Sequence, residues 1–150
     1  MVKKKDKSRG QSMVELALIL PIVLLVVLGI IEFGRAFFIY TVVSGAAREG
    51  ARYGITQPKD LAGITAAARS RLVLLSPNAV AVDVTWDDGS NPIPDYLIKL
   101  GKSRVVVEVQ TQFTMITPII SSIFPETTIR FVSARTTQDW VKVTKPTPVP

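Results

Sequence analysis

A chain of 150 residues has room for one modest domain, and its lack of cysteine and histidine excludes disulfides, thiolate or histidine metal sites, and Ser-His-Asp or Cys-His catalysis. The formal charge of +6 is concentrated at the start, where Lys3, Lys4, Lys5, Lys7 and Arg9 against Asp6 account for +4, leaving +2 for residues 11–150. A basic flank beside an apolar segment marks a cytoplasmic membrane end, and without interleaved basic and aromatic residues no nucleic-acid partner is expected.

From Leu16 to Ile31, LALILPIVLLVVLGII, sixteen residues carry no charge. As helix they measure ~24 Å. With Met13 and Val14 before them and Phe37–Tyr40 after, the span suffices for a hydrocarbon core of ~30 Å, so the lipid bilayer is an expected partner. Glu32 and Arg35, three apart on a helix, share a face and can neutralise each other as an ion pair at the outer interface; alternatively one of them bonds a neighbouring subunit.

Three fates fit a basic leader followed by an apolar run. A secretory signal needs an apolar stretch of about 7 to 15 residues with a small-residue cleavage site directly after it. Here the run is longer, and Ser44-Gly45-Ala46-Ala47 lies well beyond its end. An uncleaved anchor accounts for the run but leaves Gly10 and Glu15 unexplained. The third fate explains both: Gly10, four residues, Glu15 and an apolar helix form the G-x-x-x-x-E arrangement that prepilin peptidases cut. Glycine lets extended backbone approach the catalytic groups with no Cβ in the way. The cut would remove the leader 1–10 and leave Gln11 as the new N-terminus, with Glu15 fifth.

Beyond Tyr40 the helix is predicted to continue through TVVSGAAREGARYG. Ser44, Ala47 and Ala51 recur at helical spacing, and Gly50 and Gly54 form a second small stripe. Such stripes permit close helix approach, either to the chain's own sheet or to another subunit. Gly54, as a left-handed cap, and Gln57-Pro58 are expected to end this helix.

On GQSMVELALILP (Gly10 to Pro21), EFGR (Glu32 to Arg35) and SGAAREGARYG (Ser44 to Gly54), the first third of the chain resembles the TadE-like proteins, minor pseudopilins of the tight-adherence branch of type IV pilus systems. One departure is Leu16, where the group often has an aromatic residue. The resemblance implies processing by a prepilin peptidase, insertion in the cytoplasmic membrane, and assembly with other pilin or pseudopilin subunits and an inner-membrane assembly platform. It also implies that Glu15 meets the N-terminal amine of a Gln11, on a neighbouring subunit. A carboxylate near the membrane core is costly unless paired, which gives that role its physical reason.

A second helix is expected from about Lys59 to Leu75, with Asp60 as N-cap and Leu61, Ile64, Ala68, Leu72 and Leu75 on one face; Arg69 and Arg71 read as solvated, and Ser76-Pro77-Asn78 as its stop. The period then changes to two. Val80, Val82, Val84 and Trp86 alternate with Ala81, Asp83 and Thr85 as a half-buried strand. The stretch from Asp87 to Ser103 reads as loop, and Asp87, Asp88 and Asp95 as turn acids, since calcium-loop spacing is absent. A second strand places Val105, Val107, Val109 and Phe113 on one face, with Glu108, Gln110 and Gln112 on the other. Thr114–Glu126 is too short for a second span and is expected to be a short helix or crossover loop, with Met115, Ile116, Ile119, Ile120 and Phe124 as a candidate docking patch. A third strand has Ile129 and Phe131 inward.

The layout predicted is α+β: a long N-terminal transmembrane helix, a second helix and a small antiparallel sheet of three to four strands, pilin-like in outline. The segments are a basic leader (1–10), the spanning and extended helix (11–54), an extracytoplasmic domain (55–140) and a proline-rich tail (141–150). No cofactor and no catalytic residue is expected. The function expected is structural, an anchored assembly subunit; the alternative is an uncleaved scaffold of an envelope secretion machine.

Overall fold

The computed structural model describes residues 8–72, 75–76, 79–117, 121–122 and 127–138. A helix of 49 residues, α1 (Ser8–Thr56), is followed by α2 (Leu61–Arg69) and four strands: β1 (Val80–Asp87), β2 (Pro92–Ile93), β3 (Arg104–Phe113) and β4 (Thr127–Thr136). The sheet is antiparallel throughout, in the order β2-β1-β3-β4. Both helices lie on one of its faces, so the architecture is the expected α+β one.

Two stretches of α1 have different surroundings. Along its ~73 Å, the large apolar side chains from Met13 to Ile31 are exposed, so this stretch is apolar on every side. Such a helix is long and apolar enough to cross a membrane, and none of that window is buried. Pro21 lies inside it and leaves the Ala17 carbonyl without its intrahelical donor. Farther along, Val43, Ala46, Ala47, Gly50, Ala51 and Gly54 are buried against the rest of the chain.

The buried sheet face follows from strand periodicity. Val80, Val82, Val84 and Trp86 of β1 stand opposite Thr111, Val109, Val107 and Val105 of β3. Those β3 positions continue onto Ile129, Phe131 and Ser133 of β4. Val105, Val107 and Val109 are fully buried and form the core with Ile64 and Ala68 of α2 and the small residues of α1. The opposite face is polar, carrying Asp83, Glu108, Gln110 and Arg130, with Arg130 paired to Glu108 at 3.2 Å.

The glycines of α1 set how closely it lies on this core. A Cβ at Gly54 would stand 2.7 Å from Val105 Cγ1, and one at Gly50 would stand 3.0 Å from Ala68 Cβ and 3.1 Å from Val107 Cγ1. Gly54 is therefore not the predicted cap. The helix runs two residues further, Gln57 N–H still donates to the Tyr53 carbonyl at 3.2 Å, and among the described glycines positive φ is confined to Gly89 and Gly101.

Helix α2 is shorter than predicted. Its N-cap is Asp60, whose carboxylate accepts the Gly63 N–H at 2.9 Å and the Tyr53 hydroxyl at 2.8 Å, tying its start to α1. Past Arg69 the backbone bonds tighten to the i−3 pattern, Arg71 N–H to the Ala68 carbonyl at 3.2 Å and Leu72 N–H to the Arg69 carbonyl at 3.0 Å, and the helix ends in a turn. Leu72 still reaches the core from the turn that follows, while Leu61 is exposed.

The β1–β3 connection holds more order than a plain loop. Pro92 and Ile93 pair with Asp87 and Trp86, and Asp95–Leu97 form a short 3-10 turn. Arg104 grips Asp87 with two bonds, Nε to Oδ1 at 2.6 Å and a terminal nitrogen to Oδ2 at 2.8 Å. Asp88 accepts the N–H groups of Asn91 (2.7 Å) and Ser90 (2.9 Å). These acids are thus spent on the turn, and among the described residues no group of three or more acidic side chains is placed to hold a metal ion. Of the Thr114–Glu126 segment, Ser121 and Ser122 are helical. Ile119, Ile120 and Phe124 of the candidate patch, and the proline-rich tail 141–150, lie outside the described residues.

Two predictions follow from this packing. Gly54→Leu should lower domain stability by ~1–3 kcal/mol through overpacking against Val105, whereas Gly45→Ala, where a Cβ meets nothing within 4 Å, should raise it by ~0.5–1 kcal/mol; thermal unfolding in detergent micelles, followed by circular dichroism, measures both. The Arg104 guanidinium holds the Asp87 carboxyl below the usual range, the Asn91 and Ser90 amides do the same for Asp88, and the Gly63 amide and Tyr53 hydroxyl for Asp60. The unfolded chain then binds protons more readily than the folded one, so the stability these acids contribute is present above their unfolded pKa and lost as pH falls through the folded values. The melting temperature should hold steady from neutral pH to about 5 and fall below about 4, with a shallower fall in Arg104→Met.

Candidate functional site

Gly10, Gln11 and Glu15 lie on the first turns of α1, and all three are exposed. A Cβ at Gly10 would meet nothing within 4 Å, so packing within this chain does not require glycine there. Because α1 begins at Ser8, the Gly10–Gln11 peptide bond is helical. Gln11 and Glu15 are one turn apart on the same side of the helix. Among the described residues Glu15 has no ion-pair partner.

The second acid of α1 has different surroundings. Glu32, one residue past the uncharged run, is buried and forms a clasp. One carboxylate oxygen accepts the backbone N–H groups of Ile116 and Thr117, the latter at 2.9 Å, and the Thr117 hydroxyl at 3.2 Å. The other oxygen takes the Arg35 guanidinium at 2.7 Å. The guanidinium also lies over the Phe113 ring, 5.0 Å from its centre, an attractive cation–π arrangement.

Strand and helix geometry explains why this loop meets this residue. Helix α1 and strand β3 run side by side in opposite directions: Gly54 lies on Val105, Gly50 on Val107 and Arg35 on Phe113. A helix rises 1.5 Å per residue and a strand about 3.3 Å, so each strand residue passes about two helix residues. Extending the register from Gly50 and Val107 to position 32 brings the chain to about residue 115. The bonds to Ile116 and Thr117 lie where this register ends.

Further contacts hold the same side of α1 to β4 and α2. Arg48 stands over the Phe131 ring at 5.3 Å, and Tyr40 meets that ring edge-on at 5.9 Å. Glu49 pairs with Arg52 and reaches Arg71, beyond α2, at 3.4 Å. The Arg52 hydrogen bond, reinforced by both positive charges, holds the Glu49 carboxyl below the usual range. Ala47, Gly50, Ala51 and Gly54 are all buried in the core of this chain, so the stripe faces its own sheet and α2.

Sequence reasoning singled out Glu32 and Arg35 but missed Ile116, Thr117 and Phe113 as their companions. These partners lie some 80 residues away, and no local pattern announces them. The only signal was a carboxylate at the edge of an apolar run, which requires a donor from somewhere.

Residues 10–52 match the family of TadE-like proteins. No curated protein and no solved structure matches the chain. The matched segment contains Gly10, Glu15, Glu32, Arg35 and the small-residue stripe as far as Ala51.

Glu32→Ala should release the Ile116 and Thr117 amides, accelerating their hydrogen exchange roughly tenfold or more, while amides in the middle of β3 stay protected. Unchanged exchange at these two amides would show that other contacts hold the loop.

Proposed function

We propose, on the TadE-like match of residues 10–52, that this protein is a pseudopilin-type assembly subunit of a tight-adherence pilus or secretion apparatus. It is anchored by α1 in the cytoplasmic membrane with residues 1–10 in the cytoplasm, and its domain, residues 55–140, is extracytoplasmic. A prepilin peptidase cuts after Gly10. The subunit then joins other pilin or pseudopilin subunits on an inner-membrane platform. Its work is structural, and no catalytic step is assigned to it.

The observation that carries this proposal is Glu15, an exposed carboxylate without an ion-pair partner among the described residues, on a helix apolar in every direction beyond it. A charged side chain costs ~2.5–3.5 kcal/mol at the centre of a membrane span on insertion scales, and less toward its ends, where Glu15 stands. Hydrolysis of the Gly10–Gln11 bond would create a positive amine one turn before it. In an isolated subunit that amine belongs to the same helix; in an assembly, the amine of a second copy offers an intermolecular pair that draws subunits into a fixed axial register. Processing needs the first turn of α1 to unwind, which Gly10 eases because glycine is a poor helix former, by ~1 kcal/mol relative to alanine.

A second reading, an uncleaved single-pass scaffold of an envelope secretion machine, draws on that same turn, since the bond to be cut is helical. Co-expression with a cognate prepilin peptidase separates the two. The membrane-extracted protein should begin at Gln11 by N-terminal sequencing, and an intact leader alongside active enzyme would leave the scaffold. Gly10→Leu should block the shift. Glu15→Val should insert and be processed normally yet fail to co-purify with partner subunits; normal assembly of that variant would reduce Glu15 to a headgroup-level residue.

A further inference from the structure

The two ends of the extracytoplasmic domain differ in chemistry. At the end where α1 stops, the β1–β3 connection carries Asp87, Asp88, Asp95, Lys99, Lys102 and Arg104. At the other end, the described residues from Val109 to Thr117 include no charged side chain. That uncharged stretch includes the loop that Glu32 clasps.

The clasp fixes the level of this loop along α1. From Met13 to Ile31 the apolar helix measures ~27 Å, close to the ~30 Å of a hydrocarbon core. Glu32 therefore stands at the boundary, and because its carboxylate binds the Ile116 and Thr117 amides, those residues stand there too. The Ile116 side chain is 69% exposed. On α1, Phe33 and Phe37, ~1.5 and ~7.5 Å past Glu32 along the axis, are 74% and 62% exposed. Helical rotation places these two rings about 100° and 140° around the axis from Glu32, away from the clasped loop. Apolar groups thus stand on both sides of the helix within about one and a half turns of Glu32.

We propose that the chain leaving β3 makes a second membrane contact, in which Ile116 enters the outer lipid interface beside α1 and Glu32 sets its depth. The placement rests on α1 spanning the bilayer. Burying a peptide amide in lipid without a partner is costly; the Glu32 carboxylate removes that cost for Ile116 and Thr117, and Arg35 balances its charge. The domain is then held at two points rather than swinging from a single helix, and its charged end faces away from the membrane.

Because the chain has no cysteine, single substitutions give clean reporters. Ile116→Cys, Val23→Cys and Tyr96→Cys, each carrying an environment-sensitive fluorophore, are reconstituted as full-length protein in phosphatidylcholine and phosphatidylglycerol vesicles. Fluorescence loss is then read with lipids spin-labelled near the headgroup, with lipids labelled deep in the chain, and with aqueous iodide. Expected are loss at position 116 to the shallow lipid label, loss at position 23 to the deep one, and loss at position 96 only to iodide. Adding Glu32→Ala should open position 116 to iodide while position 23 is unchanged; Glu32→Gln, which keeps an acceptor oxygen, should lie between.

If position 23 is lipid-quenched but position 116 is open to iodide, the second contact is overturned and the span stands. If position 116 is shielded from both iodide and lipid, a protein surface such as a second copy covers it, and the lipid assignment is likewise overturned. If position 23 is itself open to iodide, the span fails and the second contact with it. Unchanged shielding of position 116 in Glu32→Ala would overturn the depth-setting role of the carboxylate.

Discussion

The close approach of α1 to β3 is the constraint on which the rest of this structure depends. Gly50 and Gly54 bring the helix backbone onto Val107 and Val105 with no room for a Cβ. Once those contacts are made, the ratio of helix rise to strand rise determines which residues meet further along. Phe113 must lie near Arg35, and the chain leaving β3 must arrive at Glu32. A packing interaction at one end of the domain thus positions a polar clasp some 27 Å away along the helix.

That clasp joins two environments. On one side is a helix apolar all round; on the other is a small α+β domain whose core is built from three valines of β3 and the small residues of α1. A single uninterrupted helix serves both, so any rotation or tilt of the apolar half is transmitted to the domain. The α1 contacts with Phe113 and Phe131, through Arg35, Tyr40 and Arg48, stiffen the junction between the two halves. Under the proposed assembly through α1, a rigid junction would convert helix register directly into domain position.

Of the three carboxylates of α1, Glu15 and Glu32 take different roles because of where they lie. Glu32 sits at the end of the apolar run, within reach of a loop that can donate two amides and a hydroxyl. Glu15 lies ~25 Å away along the same helix, below the level of the domain. A carboxylate satisfied within its own chain has no need of a partner molecule, whereas Glu15, without an ion-pair partner among the described residues, is the one to which the proposed function gives an intermolecular bond.

Strand β3 was legible in the sequence from Arg104 to Phe113, since alternating valines and polar residues admit only one half-buried orientation. The Asp60 cap and the polar outer face of the sheet were equally plain, and so was the uncharged run of α1, because a bilayer-length apolar segment leaves few alternatives. The Glu32 and Arg35 pair could be read from its spacing alone. Hidden from local reading were the end of α2, where the backbone bonds tighten to the i−3 pattern, and the true use of Gly54, which depends on Val105 lying beneath it. The bonds from Glu32 to Ile116 and Thr117 were hidden too, because they require the strand and helix lengths to match across some 80 intervening residues. Local chemistry by itself determined the helical, strand or apolar character of the long segments; only the tertiary structure decided which distant amides satisfy the acid, since a hydrogen bond is set by position in space and not by proximity in the chain.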